Sequence, residues 1–390
     1  MIIESKSDDT NEVEIQAKVE SNFEDHPSDM MIVLTDRERI GVPKPSSDPT
    51  IEDLKAIQQQ VKARIKTMIA EDIPFFTMDG IRNVHEQVQK CMAQGGKGDV
   101  FVKGLDGIIV RFQLHIGKTY DWADFTSVKP VIEYAAIQHL TSEKWVEHLD
   151  PEIAFCNLVV YHRVKHLDKE TREVATAKDA FRPKEDVGRD FDKSLHEWMA
   201  SEQCRQLRNL DILRQNAGRI RKIVAFACGS ITHSDERSKG RSSYQHGLIK
   251  TLHDILSQAR HEDVNLTREQ KEKHIQCFIQ DPAYTNIDRE LFQDDYGIAT
   301  ILENPEGFLE VDDSTVVLSF SPNVPVRQIV VDIAKPAVMI WDRILDEDDR
   351  DVTDPDSRRM KSVIDGLYDQ IEFPEDKAHF GDIAIYGRRA

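Results

Sequence analysis

The stretch Lys222 to Ser230, K-I-V-A-F-A-C-G-S, constrains this chain more than any other. It is a short apolar run that stops at Gly229-Ser230. Arg219-Ile220-Arg221 precedes it, and a polar loop and an amphipathic helix follow. A strand buried on both faces of a parallel sheet reads as a near-continuous apolar run, and a glycine turn lets the chain pass into a helix. The stretch therefore predicts the first strand of a Rossmann-like, doubly wound α/β domain with a mostly parallel sheet.

Downstream the pattern alternates. A helix is expected over about Ser242 to Gln258, where Leu248, Ile249, Leu252, Ile255 and Leu256 share a face. A strand over His274 to Gln280 ends in Asp281-Pro282. Thr285 and Asp288 have the spacing of a capping box for a short helix that Gly297 ends. Strands over Ile298 to Leu302 and Thr315 to Phe320 follow, then a helix over Val326 to Ile344. This order argues for a parallel sheet covered on both faces, because right-handed crossovers leave few other topologies. The expected domain spans 191–345, entered through one helix from Phe191 to Gln215.

The flanks read differently. Residues 1–48 are acidic and lack sustained periodicity, and Pro43, Pro45 and Pro49 interrupt their end. Disorder is expected there, with a transient helix over Val13 to Val19. Residues 49–190 form an expected α+β extension. It holds a helix over 50–70 capped by Thr50 and Asp53, a second helix from Asp79 to Met92, and a hairpin of Val100 to Val102 with Ile108 to Val110. A helix over 130–148, a strand from Phe155 to Val164 and an exposed loop over 165–190 complete it. In 346–390 the sequence predicts an acidic surface segment to Asp356, a helix from Ser357 to Gln370 and a strand from Asp382 to Tyr386 closing the sheet edge. Gly95-Gly96-Lys97-Gly98 lacks the G-x-x-x-x-G-K-[ST] spacing and reads as an ordinary loop.

Composition narrows the function classes. The 390 residues carry a net charge of −19, which argues against non-specific binding to nucleic acid or to anionic membrane. No run approaches the roughly 20 apolar residues of a membrane span. The five cysteines, Cys91, Cys156, Cys204, Cys228 and Cys277, form no C-x-x-C pair, which fits a reducing compartment. The start M-I-I-E-S-K-S-D-D-T has acids where a secretion signal needs apolar residues. A soluble, cytoplasmic protein is expected, with the nucleus as the second compartment.

Ligands of open α/β sheets bind beyond the carboxyl ends of the strands. Those ends carry Gly229-Ser230, Asp281-Pro282, Glu303-Asn304 and Ser321-Pro322-Asn323. Gly229 lets a ligand approach the backbone, Ser230 offers a hydroxyl, and Asp281 stands where nucleotide and S-adenosylmethionine binders place an acid for ribose hydroxyls. Gly229, Ser230, Asp281 and Asn304 are thus the candidate ligand-binding residues. Each has a structural alternative: one glycine needed for a turn, and an aspartate capping the turn at which proline stops a strand. G-x-G-x-x-G is absent. The histidines His233, His246, His253, His261 and His274 match no zinc pattern, so no metal is expected. His246 and His253, seven residues apart, are expected on one helix face. Ser230, His233 and Asp235 lie too close in one loop for a catalytic triad and lack the G-x-S-x-G elbow.

Ser243-Tyr244-Gln245, Asp281-Pro282-Ala283-Tyr284-Thr285 and Glu303-Asn304-Pro305-Glu306-Gly307, set around the strand and Gly229-Ser230, resemble the Sensitivity-to-Red-light-Reduced (SRR-like) family, and the long N-terminal half resembles its fungal branch. The resemblance covers roughly Arg219 to Ile344. Members often have a second glycine where this chain reads Ala227-Cys228-Gly229, and many have Pro-His-Cys where it reads Ser321-Pro322-Asn323. The resemblance implies a regulatory role. Plant members are associated with light signalling and the circadian clock, others with cytoskeletal or haem-related regulation. Two readings follow. One is a non-enzymatic regulatory protein that acts through protein partners and senses a nucleotide-like ligand at the strand ends. The other is an S-adenosylmethionine-dependent, methyltransferase-like enzyme with Gly229, Ser230 and Asp281 around its cofactor. A dry pocket at the strand ends holding Asp281 near Gly229 would favour the second, and a filled crevice the first.

Overall fold

A computed structural model describes residues 2–3, 32–43, 47–120, 125–167, 171, 182–233, 235–262, 267, 274–345 and 352–389. The expected transient helix at Val13 to Val19 lies outside them. The chain divides into two compact units. One comprises Met1–Val61, Arg82–Tyr134 and Glu143–Ala180, and the other Lys62–Ile81, Ala135–Ser142 and Phe181–Ala390.

Two helices near the start, α1 (Ile51–Ala70) and α2 (Met78–Ala93), follow the apolar periodicity. Thr50 and Asp53 cap α1 reciprocally: the Thr50 amide donates to Asp53 at 2.9 Å and the Asp53 amide to Thr50 Oγ1 at 3.2 Å.

Among its described residues, the first unit contains two sheets. One has the order β1 (Ile2–Ile3), β2 (Ile32–Leu34), β8 (Leu158–His166), β7 (Phe125–Tyr134), β6 (Thr119–Tyr120). The other has the order β3 (Asp36–Arg39), β5 (Ile109–His115), β4 (Lys97–Lys103), in which β4 and β5 are the expected hairpin. Two expectations are corrected here. Ile32–Leu34 and Asp36–Arg39 are strands inside the segment read as disordered, because their partners in β8 and β5 are over 70 residues away in sequence, and Ile2–Ile3 in turn pairs with Ile32–Val33, 30 residues on. Residues 125–134 are a strand where a helix over 130–148 was expected. Ile132 and Tyr134 are both buried, a period of two that pairing with β8 selects. The helical part of that stretch is limited to α3 (Ile137–Thr141) and a 3-10 turn at Glu143–His148.

The second unit is mixed α/β around a mostly parallel sheet. Entry is by three helices, α4 (Lys184–Ala200), α5 (Glu202–Arg208) and α6 (Asp211–Asn216), where one was expected from Phe191. Ser201 breaks the run, since its hydroxyl accepts from the Cys204 amide and caps α5. Lys184 to Arg189 is helical where an exposed loop was expected. β9 (Lys222–Phe226) leads to α7 (Glu236–Glu262), then β10 (Gln276–Gln280) and α8 (Asn286–Arg289), which continues as a π-turn to Asp295. β11 (Thr300–Ile301), α9 (Glu306–Glu310), β12 (Thr315–Ser319), α10 (Val326–Ile333) and β13 (Val338–Asp342) follow. The helix expected to reach Ile344 stops at Ile333. Pro336 cannot continue it, and Val338-Met339-Ile340-Trp341 is an apolar run that the sheet buries. The chain closes with α11 (Arg358–Leu367), capped by Ser357, then β14 (Tyr368–Glu372) and β15 (Ile383–Arg388).

Among the described residues seven strands make this sheet, in the order β11-β10-β9-β12-β13-β15-β14. β9 pairs parallel with β10 and with β12, so Phe226 stands between Gln280 and Ser319. β15 runs antiparallel between β13 and β14. It is therefore an interior strand, not the closing edge. Ile223 and Ala225 join Leu248, Ile249, Leu252 and Leu256 of α7 in one core. On the other face Phe226 stacks on Phe308 of α9 with centroids 4.7 Å apart. Gly247 matters for packing: a Cβ there would stand 2.7 Å from Trp198 Cδ1, whose ring bonds Thr251 through its N–H at 2.9 Å.

The segment read as an acidic surface is also corrected. Residues 346–351 lie outside the described residues, while Asp354 and Asp356 are buried against Arg327 of α10.

Candidate functional site

The chain leaves β10 and β11 on one side of β9 and returns to β12 on the other. The order thus reverses between β9 and β12, the place where open α/β sheets leave a crevice. Both strands end in left-handed backbone: φ is 58° at Ala227, 67° at Gly229 and 49° at Ser321. For a residue with a side chain this costs about 1–2 kcal/mol, so surrounding bonds must hold it. A Cβ at Gly229 would also stand 2.6 Å from Ser242 Oγ on α7, so that hydroxyl would have to rotate away to admit one.

The bonds come from the loop after β10. Asp281 Oδ2 accepts from the Gly229 amide at 2.8 Å, and Oδ1 accepts from the Ala283 amide at 2.9 Å. One carboxylate therefore caps its own turn and reaches across to the neighbouring strand end. Burial raises the Asp281 carboxyl above its ordinary range, against the lowering effect of the two amides. Tyr284 then meets His246 of α7, with OH and Nε2 2.9 Å apart. His246 Nδ1 donates to the Ser242 carbonyl at 2.6 Å, and the ring stacks on Phe292 at 4.1 Å. Burial lowers His246 to about 4, so it is a neutral imidazole whose Nε2 accepts from the tyrosine.

Thr285 and Asp288 complete the capping box expected from their spacing. Asp288 does more. It is fully buried, and beside the Thr285 amide and hydroxyl it accepts from Ser230 Oγ at 2.7 Å and from the Ile231 amide at 3.0 Å. Asp281-Pro282-Ala283-Tyr284-Thr285 with Asp288 is thus a clamp on the turn after β9. Its aspartates hold the loop, its tyrosine holds α7 through His246, and its proline ends β10.

Of the four candidate residues, Gly229 and Asp281 are directly bonded. Ser230 belongs to the same cluster, but its hydroxyl faces inward to Asp288 and it is 2% exposed. Asn304 is exposed beyond β11, ahead of α9. Cys228 is buried in the turn, and burial pushes its thiol well above the ordinary range, which removes thiolate character. His246 and His253 do not share surroundings: His246 is fully buried, while His253 is half-buried beside Asp254. Among the described residues no group of three His, Cys, Asp or Glu is placed to hold a metal. The roles of His246, Tyr284 and Asp288 were missed in the sequence. The Thr285–Asp288 spacing was the available signal, but it pointed only to a helix cap.

A family model described as the SRR1 domain matches residues 187–386. The match takes in α4 from Val187, the whole seven-stranded sheet up to Tyr386, and every residue of the clamp. No curated protein and no solved structure matches the chain.

Proposed function

This chain belongs to the SRR1-domain family, and on that premise we propose that it is a regulatory protein that acts through protein contacts and senses a small nucleotide-like ligand at the carboxyl ends of β9 and β10. Its sheet is read as Rossmann-like. Numbered from β9, the order is 3-2-1-4-5-7-6, which follows the dinucleotide-binding order through the first five strands. The observation that carries the reading is the bond from the Gly229 amide to Asp281. It places a half-buried carboxylate on the glycine turn at a strand end, where a ligand that shifts one shifts the other. The acidic balance supports protein partners with complementary basic surfaces over nucleic acid or membrane. A cytoplasmic location, extending to the nucleus, is part of the same proposal.

An S-adenosylmethionine-dependent enzyme is the second reading. It rests on the acid at the end of β10 and on the strand order, and fold alone assigns no reaction.

Thermal unfolding of the full chain against S-adenosylmethionine, S-adenosylhomocysteine, NAD, NADP, ATP and haem tests the ligand half. A ligand at 100 times its dissociation constant adds about 2.7 kcal/mol to the folded state, which shifts the midpoint by several degrees. The expected result is a shift with at least one compound that Asp281→Ala abolishes. No shift with any compound at millimolar concentration would sink ligand sensing.

A further inference from the structure

We infer that the strand-end site proposed above excludes phosphate and takes a neutral or cationic ligand bearing hydroxyl groups, of the phosphate-free nucleoside class. The inference rests on that ligand-sensing reading. Phosphates in open α/β folds are held by backbone amides of the first turn and of the helix that follows. Here those amides already hold the chain's own carboxylates. The Gly229 amide donates to Asp281 at 2.8 Å, the Ile231 amide to Asp288 at 3.0 Å, and the Ser238 amide, in the first turn of α7, to Asp235 at 2.8 Å. Asp288 is fully buried and tied also to Ser230 and Thr285, so it does not swing aside without unfolding the clamp.

A phosphate at this turn would have to displace a carboxylate from its amide and then lie beside the others. Like charges so placed lower affinity steeply. His233 is one basic neighbour, its Nε2 3.9 Å from where a Cβ on Gly229 would stand. Lys239 is spoken for by Asp190 at 3.0 Å, and Arg237 is exposed. Arg241, half-buried on α7 beside Ser242, is a second cation, and one imidazole with one guanidinium leaves the three carboxylates in excess.

The acceptor capacity of Asp281 remains. Each of its oxygens takes one amide and keeps a second lone pair, and the residue is half-buried, so one side meets solvent. Its raised carboxyl range marks an anion that gains from one more donor or from a positive charge. The paired hydroxyls of a ribose are such donors, and an acid at the end of the second strand is where open α/β sheets meet them.

Isothermal titration of the full chain with adenosine, S-adenosylmethionine, ATP, NAD and inorganic pyrophosphate tests this. Adenosine or S-adenosylmethionine is expected to bind about tenfold or more tightly than ATP and NAD, with no competition from pyrophosphate. Asp281→Asn is expected to weaken the phosphate-free ligand and to gain pyrophosphate binding, because it removes the competing charge. ATP or NAD binding the unaltered chain as tightly as adenosine overturns the inference and leaves ligand sensing standing. No binding of any of the five removes both. If Asp281→Asn fails to fold, the affinity ratio on the unaltered chain decides alone.

Discussion

His246 shows what single residues do in this molecule. It occupies a fully buried position on α7 and keeps Tyr284 and Phe292 in place only while uncharged. Its ordinary value of 6.5 falls to about 4 in the folded chain. Between those values the unfolded chain binds the proton and the folded chain refuses it. The contribution is therefore intact above pH 6.5 and is lost as pH falls toward 4, by roughly 3 kcal/mol in all. His246→Gln keeps hydrogen-bonding groups but cannot charge. Urea unfolding at a series of pH values from 7 to 4 is expected to show the unaltered chain losing stability relative to the variant across that window. Parallel curves would show that His246 is not held neutral. The residue was visible in the sequence as one of five histidines on or near α7. Its burial was not visible, because the partners Tyr284 and Phe292 are brought to it by the fold.

At the scale of elements, the segment from Val352 to Ser357 is tied across the carboxyl ends of β12 and β13. Thr353 donates to the Pro322 carbonyl, the Gln328 side chain donates to the Pro355 carbonyl at 2.9 Å, and Arg327 holds Asp354 at 3.1 Å and Asp356 at 2.6 Å. Arg327 is 1% exposed, so its removal strands two buried carboxylates. Arg327→Met is expected to cost about 3–5 kcal/mol, and pairing it with Asp354→Asn to recover part of that. Denaturant unfolding checks the cost, and hydrogen exchange at 352–357 is expected to rise most. An equal loss in the single and double variants would mean that the charges do not hold the segment. The acidic sequence around Asp354 and Asp356 read as solvated surface, since only the fold supplies the arginine 27 residues upstream. Elements that carry their own signals fared better. Thr50–Asp53 and Thr285–Asp288 mark helix starts, and the hairpin of β4 and β5 closes around its glycine turn.

At the scale of the whole molecule, β15 lies between β13 and β14, so the last strand of the chain covers the apolar edge formed by Val338 to Trp341. A chain ending at Leu345 lacks that cover and exposes a long apolar edge. It is expected to unfold without cooperativity and to bind a hydrophobic dye, whereas a sharp thermal transition would show that β9 to β13 fold without it. The sequence by itself determined the strands and helices with a strong period: the core run Lys222 to Phe226, the leucine face of α7, the apolar strand at Thr315 and the capped helix starts. It also marked Gly229 and Asp281 as strand-end residues, because a turn glycine and an acid before proline are local signals. Tertiary structure alone decided which strands pair, that β15 is interior, that residues 125–134 extend instead of coiling, and that Asp281 and Asp288 fold back onto the turn after β9. The physical reason is range. Helix caps and turns are satisfied within a few residues, whereas sheet register, the burial of a charge and the partner of a carboxylate depend on groups tens of residues away, 27 for Arg327 and Asp354 and 52 for Gly229 and Asp281.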